Sequence, residues 1–177
     1  MGSRANGGGH GEAGGRGTAA AGAGSGDDLE GRPLCKQVAE LLGRVVSATS
    51  TRGDARVWEV YARFNEGAGR DRSRVLDCVS KQCRALQRAG WEKDAAAVLR
   101  LAAASDKLVQ LHLEDGKRQS AYQAKMHLST LARKVKAADA VVGCPGHERI
   151  YALLHTVEGV LADLKSQEAA AAAAAPS

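Results

Sequence analysis

The sequence predicts an all-α protein of about six helices, stacked as antiparallel hairpins in an α-α superhelix that ends in a C-terminal helical cap. Three observations carry this reading. Apolar residues recur at i, i+4 and i+7 in six successive stretches, the period of one helix face. Polar breaks containing Gly and Asp separate the stretches. No run alternates apolar and polar residues as a half-buried strand does. Short breaks between amphipathic helices place neighbours antiparallel, as stacked hairpins or, for the last three helices, as a compact bundle.

The first helix carries Leu34, Val38, Leu41, Leu42, Val45 and Val46 on one face. Pro33 suits its first turn, where the missing N–H is not needed. Ser50-Thr51-Arg52-Gly53 interrupts the pattern, and Asp54 is placed to cap the second helix, whose stripe is Val57, Val60, Tyr61 and Phe64. Gly67 and Gly69 end it. A third helix starts near Asp71, carries Val75, Val79, Cys83 and Leu86, and stops at Gly90. Asp94 opens the fourth, with Val98, Leu101, Ala102, Leu108 and His112 on one side and Asp115-Gly116 at its close. The fifth sets Ala124, Leu128, Leu131, Val135 and Ala138 opposite Lys125, Arg133, Lys134 and Lys136. Val142-Gly143-Cys144-Pro145-Gly146 is a turn by composition. Ile150, Leu153, Leu154, Val157, Leu161 and Leu164 then form the cleanest stripe of all. The small side chains of Ala95–Ala97 and Ala102–Ala104 allow helices to approach closely.

The ends differ in kind from this body. Of 21 glycines, 11 fall in residues 1–30. Such a segment cannot bury enough apolar surface to offset its backbone entropy, so residues 1–31 are expected to be a disordered leader. Residues 169–177 are an Ala-rich tail, which leaves residues 32–168 as the helical domain. No apolar run of 18 residues is present, so no helix is expected to cross a membrane. No apolar stretch follows a basic start, so no secretory signal is expected. The four irregularly spaced cysteines read as reduced thiols, and the expected residence is intracellular, in cytoplasm, nucleus or both.

Catalytic and metal chemistry find little to work with. Cys144-Pro-Gly-His147 has a ligand-like spacing, but structural zinc needs four ligands and no second pair stands at suitable spacing. His112, His127, Cys144 and His147 are the only candidates for a reactive constellation, and nothing in the sequence brings them together. No enzyme activity, metal or cofactor is expected. Arg52-Gly53-Asp54 is explained by a Gly turn and a capping Asp, and Gly22-Ala-Gly24-Ser-Gly26 lacks the strand and Lys-Ser/Thr of a phosphate cradle.

Basic residues are more suggestive. Residues 1–31 hold two Arg against four acids, which leaves 23 basic against 16 acidic residues, +7, for residues 32–177. Arg63, Arg70, Arg72, Arg74, Lys81, Arg84 and Arg88 cluster in sequence, and Arg133-Lys134-Val135-Lys136 is a second concentration. Arg70, Arg74, Lys81, Arg84 and Arg88 are the candidate partner surface, and a basic helical RNA-binding surface is the alternative function. Interspersed acids such as Asp71 and Asp77, and the scarcity of aromatics for base stacking, count against RNA.

Trp58-x-x-Tyr61-Ala62 fits the Trp-x-x-large-small opening of a tetratricopeptide unit, although Asn65 stands where a Tyr is usual. Trp58, Tyr61, Ala62 and Trp91 are therefore the expected repeat-packing residues. Glu40-Leu-Leu-Gly43-Arg44-Val45-Val46-Ser47, then Val57-Trp58-Glu59-Val60-Tyr61-Ala62 and Trp91-Glu92-Lys93-Asp94, resemble in order and wording the C-terminal end of the tetratricopeptide repeat protein 27 family, over about Leu34–Gln167. The resemblance implies a non-enzymatic adaptor or assembly factor linked to chaperone-assisted ribonucleoprotein maturation. It implies protein partners among chaperone machinery or spliceosomal proteins. Members of that family are longer and carry their repeat array N-terminal to the part resembled, whereas this chain begins with a Gly/Ala-rich leader. A fragment, a split gene and an incomplete gene model are the alternatives, and if the partner-binding groove belongs to the missing repeats the chain is mainly a C-terminal cap.

Overall fold

The computed structural model describes residues 33–48 and 53–174. They form six α-helices: α1 (Pro33–Ser47), α2 (Ala55–Gly67), α3 (Arg72–Arg88), α4 (Ala95–Leu113), α5 (Arg118–Lys136) and α6 (Pro145–Ala174). Short 3-10 turns at Trp91–Lys93 and Asp139–Val141 join α3 to α4 and α5 to α6, and no strand occurs among the described residues. The leader expected over residues 1–31 lies outside the described residues.

Local chemistry fixes the helix starts. The carboxylates of Asp54, Asp71 and Asp94 accept from the backbone N–H groups of Arg56, Ser73 and Ala96 at 2.9, 3.3 and 2.8 Å. Each such cap satisfies an otherwise orphaned donor, a contribution of about 1 kcal/mol. Gly90, at φ +78°, reverses the chain after α3 in a conformation costly for a residue with a Cβ. That reversal tucks the Trp91 indole into the core at 2 % exposure.

Packing follows chain order at first and then closes on itself. α2 pairs with α3, α3 with α4, and α4, α5 and α6 pack mutually, so a hairpin stack merges into a three-helix bundle that shares α4. The main core gathers Val79, Cys83, Trp91, Leu101, Leu131 and Ile150 from both halves. A second cluster of Val109, Ala124, Leu128 and Val157 fills the far end of the bundle. Ion pairs bridge the bundle helices at their surface: Arg149–Asp106 at 2.5 Å links α6 to α4, and Lys125–Glu158 (2.9 Å) and Arg118–Glu168 (2.8 Å) link α5 to α6. The Arg72 guanidinium donates to the Leu111 carbonyl at the end of α4, where a cation also favours the helix dipole.

Two predicted stripes are corrected. In α1 only Val46 is buried, while Leu34 and Leu41 are 70 % and 58 % exposed. Its one buried side chain lies in the last turn, where Val46 meets Trp58 and Ala85. In α2 the buried face is Trp58, Ala62 and Asn65, which leaves Val60 exposed. The indole brings the largest apolar area of the helix and Ala62 lets α3 come close, so that face turns inward. Asn65 can follow because its Nδ2 donates to the Tyr61 carbonyl at 2.8 Å and points at Cys78 Sγ at 3.6 Å. α6 also runs past Glu168 through the alanines to Ala174, as the best helix-forming residue allows.

Of the described glycines, Gly146 at the start of α6 alone has another helix's backbone against it. A Cβ on Gly146 would stand 2.6 Å from the backbone nitrogen of Leu99 and 2.7 Å from the carbonyl carbon of Val98, so the start of α6 touches the bare backbone of α4. Gly146→Ala is expected to lower unfolding free energy by about 1–3 kcal/mol in urea titrations followed by circular dichroism. Trp58→Ala should cost about 3 kcal/mol in the same assay. A loss below about 0.5 kcal/mol would mean that the indole does not pack α1 and α3 onto α2.

Candidate interaction surface

The basic residues of the sequence separate into two groups. Arg74, Lys81, Arg84 and Arg88 fall, with Asp77, within about 80° of arc on α3 at 100° per residue. Arg70 does not join them. It precedes the helix, and its guanidinium lies over the Phe64 ring at 5.8 Å. Arg63 pairs with Glu59 at 2.6 Å, and Arg72 is engaged at the end of α4. The second basic concentration comes close to the first, because Lys134 Nζ donates to Gln87 Oε1 at 3.2 Å beside the C-terminal end of α3.

The basic face of α3 borders a trough. Its wider part, about 560 Å³, is lined by Val46 and Ser47 of α1, Trp58 and Tyr61 of α2, and the side chains of Lys81, Arg84 and Arg88. A second hollow of about 310 Å³ lies beside it toward Arg74, and Tyr61 and Asp77 line both. Lys81 is held twice: its Nζ lies 4.9 Å from the centre of the Trp58 ring and 2.6 Å from Asp77 Oδ2. Among the described residues no carboxylate forms an ion pair with Arg74, Arg84 or Arg88.

The opposite groove, between α2, α3 and α4, makes the contrast. It is larger, about 870 Å³, with a floor that includes Ala62, Val79 and Leu86. Its cations are all matched: Arg56 with Asp54, Arg63 with Glu59, Arg100 with Asp94 and Lys107 with Glu66. Each cation on its rim pairs with an acid of this chain, whereas among the described residues Arg84 and Arg88 beside the trough form no ion pair.

Of the repeat-packing candidates, Trp58, Ala62 and Trp91 are buried and Tyr61 is partly buried at the edge of the trough. The histidines and cysteines sit apart from it. His147 Nδ1 accepts from the Gly143 N–H at 2.7 Å and its ring meets Tyr151 edge-on at 4.9 Å, so it locks the turn before α6. Cys144 is partly buried nearby, and no group of three His, Cys, Asp or Glu is placed to hold a metal among the described residues.

A polar pair absent from the sequence reading lies inside the bundle: Ser105 Oγ and His127 Nε2 are 3.0 Å apart, with Ser105 fully buried. Burial, helped by the charge of nearby His112, pushes His127 down to about 4. Burial also lowers His112, with Asp115 opposing. Cys83, beside Ser105, is pushed up to about 12 by burial, the reverse of what a nucleophilic thiol requires. Burial favours the neutral forms of His127 and Cys83. The available signal was Ser105 itself, a hydroxyl on the Leu101–Leu108 stripe of α4 that had to find a partner across the helix interface.

Compared with protein-family models, with curated proteins and with solved structures, the chain matches none.

Two outcomes follow. A histidine lower in the folded than in the unfolded state stabilises fully above its unfolded value near 6.5 and loses that contribution as pH falls toward 4. Urea midpoints should therefore drop between about pH 6.5 and pH 4, and His127→Gln should flatten that slope. In native thiol titration with an aromatic disulfide, Cys35 and Cys144 should react readily. Cys78 and Cys83, both buried, should react only on unfolding.

Proposed function

We propose that the chain is a non-enzymatic protein–protein interaction module built on stacked helical hairpins. The observation that carries this reading is the apolar face of α1: Leu34, Leu41 and Val45 stand 70 %, 58 % and 43 % exposed on a strongly amphipathic helix. A helix of that composition gains its stability mainly by burying such a face, and an exposed apolar stripe beside a polar surface marks an interaction site. Aliphatic residues ask for a protein, because a nucleic acid offers phosphates and flat bases. The role we assign is that of an adaptor or assembly factor, with chaperone machinery or spliceosomal proteins as the partner class that the sequence resemblance suggests. No helix among the described residues is long and apolar enough to cross a membrane.

A basic RNA-binding surface is the second reading, favoured by the shared face of Arg74, Lys81, Arg84 and Arg88. The two readings part in one experiment. Affinity capture from native extract, with and without ribonuclease, compares the full chain with the variant Leu34→Ser/Leu41→Ser/Val45→Ser at equal helicity. Proteins recovered by the parent chain after ribonuclease, and lost by the variant, support the interaction module. Recovery that ribonuclease abolishes and the variant leaves intact overturns it in favour of RNA.

A further inference from the structure

We propose that the trough between the end of α1, α2 and α3 receives an acidic amphipathic segment of a partner protein, an inference that rests on the interaction-module reading and names the chemistry of the partner. Charge complementarity makes the first argument. The trough presents four cations, Arg74, Lys81, Arg84 and Arg88, against the single carboxylate of Asp77, and Asp77 is already committed to Lys81. Every cation lining the opposite groove has an acid of this chain beside it. Carboxylates brought by a partner are what Arg84 and Arg88 lack, and an arginine fork binds a carboxylate through two parallel hydrogen bonds.

Continuity makes the second. Val46, which lines the trough, follows Val45 directly but points about 100° round the helix from it, so the exposed apolar face of α1 borders the trough at that helix's last turn without lining it. A segment that satisfies both must carry acids on one side and aliphatic side chains on the other. Length is compatible: Arg74 to Arg88 spans about 21 Å at 1.5 Å per residue, close to four turns of a docked helix. RNA meets the charge but not the stripe. The Trp58 ring is 8 % exposed and already covered by Lys81, which leaves little aromatic face on which a base could stack.

The test uses the full chain and isothermal titration calorimetry with three probes: a 14-residue Glu/Asp peptide with leucines at i, i+3, i+4 and i+7, the same peptide with Lys for every acid, and a 12-nucleotide oligouridylate. The acidic peptide should bind, weaken with salt, and lose about tenfold or more in affinity in Arg84→Glu/Arg88→Glu. Leu41→Ser/Val45→Ser should weaken it independently, and Lys165→Glu on the exposed side of α6 should not. All variants are judged at unchanged helicity and urea midpoint.

No binding of the acidic peptide, or binding indifferent to Arg84→Glu/Arg88→Glu, overturns the inference. So does oligouridylate binding through the same arginines without peptide binding. Self-association in sedimentation equilibrium that Leu41→Ser/Val45→Ser abolishes would give the face to a second copy, and also overturns it. If the chain recovers proteins through α1 yet ignores the acidic peptide, this inference fails and the interaction module stands; if both fail, the broader reading falls too.

Discussion

The structure depends on how closely other helices can approach α4. This helix packs against α3 on one side and against α5 and α6 on others, and its Val98, Leu101 and Ala102 retain no accessible surface. A helix surrounded in this way cannot carry large side chains at every contact, and the alanines along Ala95–Ala104 keep its cylinder narrow. Gly146 completes the constraint from the other partner by removing the side chain altogether where α6 meets the α4 backbone. Interiors pack at crystal-like density, so a single methyl at that point has no void to enter. From that contact the two parts of the fold diverge: the bundle closes behind α4 and the hairpins extend in front of it.

The same crowding explains how polar groups survive inside. Ser105 sits where α4 meets α5, and a hydroxyl there needs a partner within reach, which His127 supplies. Asn65 plays the corresponding part between α2 and α3 by donating back to its own helix. The first solution crosses to the next helix and the second stays within α2. The surfaces of the molecule differ in whether their charges are already matched: the groove between α2, α3 and α4 pairs each of its cations, and Arg84 and Arg88 have no ion pair among the described residues.

Periodicity made the number and order of helices readable, because each stripe was long and each boundary carried a residue with a physical job: Asp54, Asp71 and Asp94 as caps, and Gly90 as a reversal. What periodicity could not say is which side of a short helix wins when two faces are both apolar. In α2 the stripe Val57–Val60–Phe64 reads as well as Trp58–Ala62, and only the presence of α3 decides for the second. In α1 the pattern is unambiguous, yet no described helix covers most of it, a fact about the rest of the molecule that no window of fifteen residues contains. The basic face was legible in part: helical spacing aligns Arg74 through Arg88, while Arg70 falls outside the helix and leaves the set.

The two indoles have unequal surroundings, and this makes the molecule its own optical gauge. Trp91 is sealed in the interior among aliphatic side chains, whereas Trp58 lies at the border of the trough with the Lys81 ammonium over its ring. Emission from the first should stay at short wavelength for as long as the core is intact. Emission from the second should change when Lys81 leaves the ring for another anion. Ultraviolet excitation of unlabelled protein can therefore separate occupation of the trough from loss of structure, and replacing Trp91 with Phe would leave a single emitter positioned to report the former.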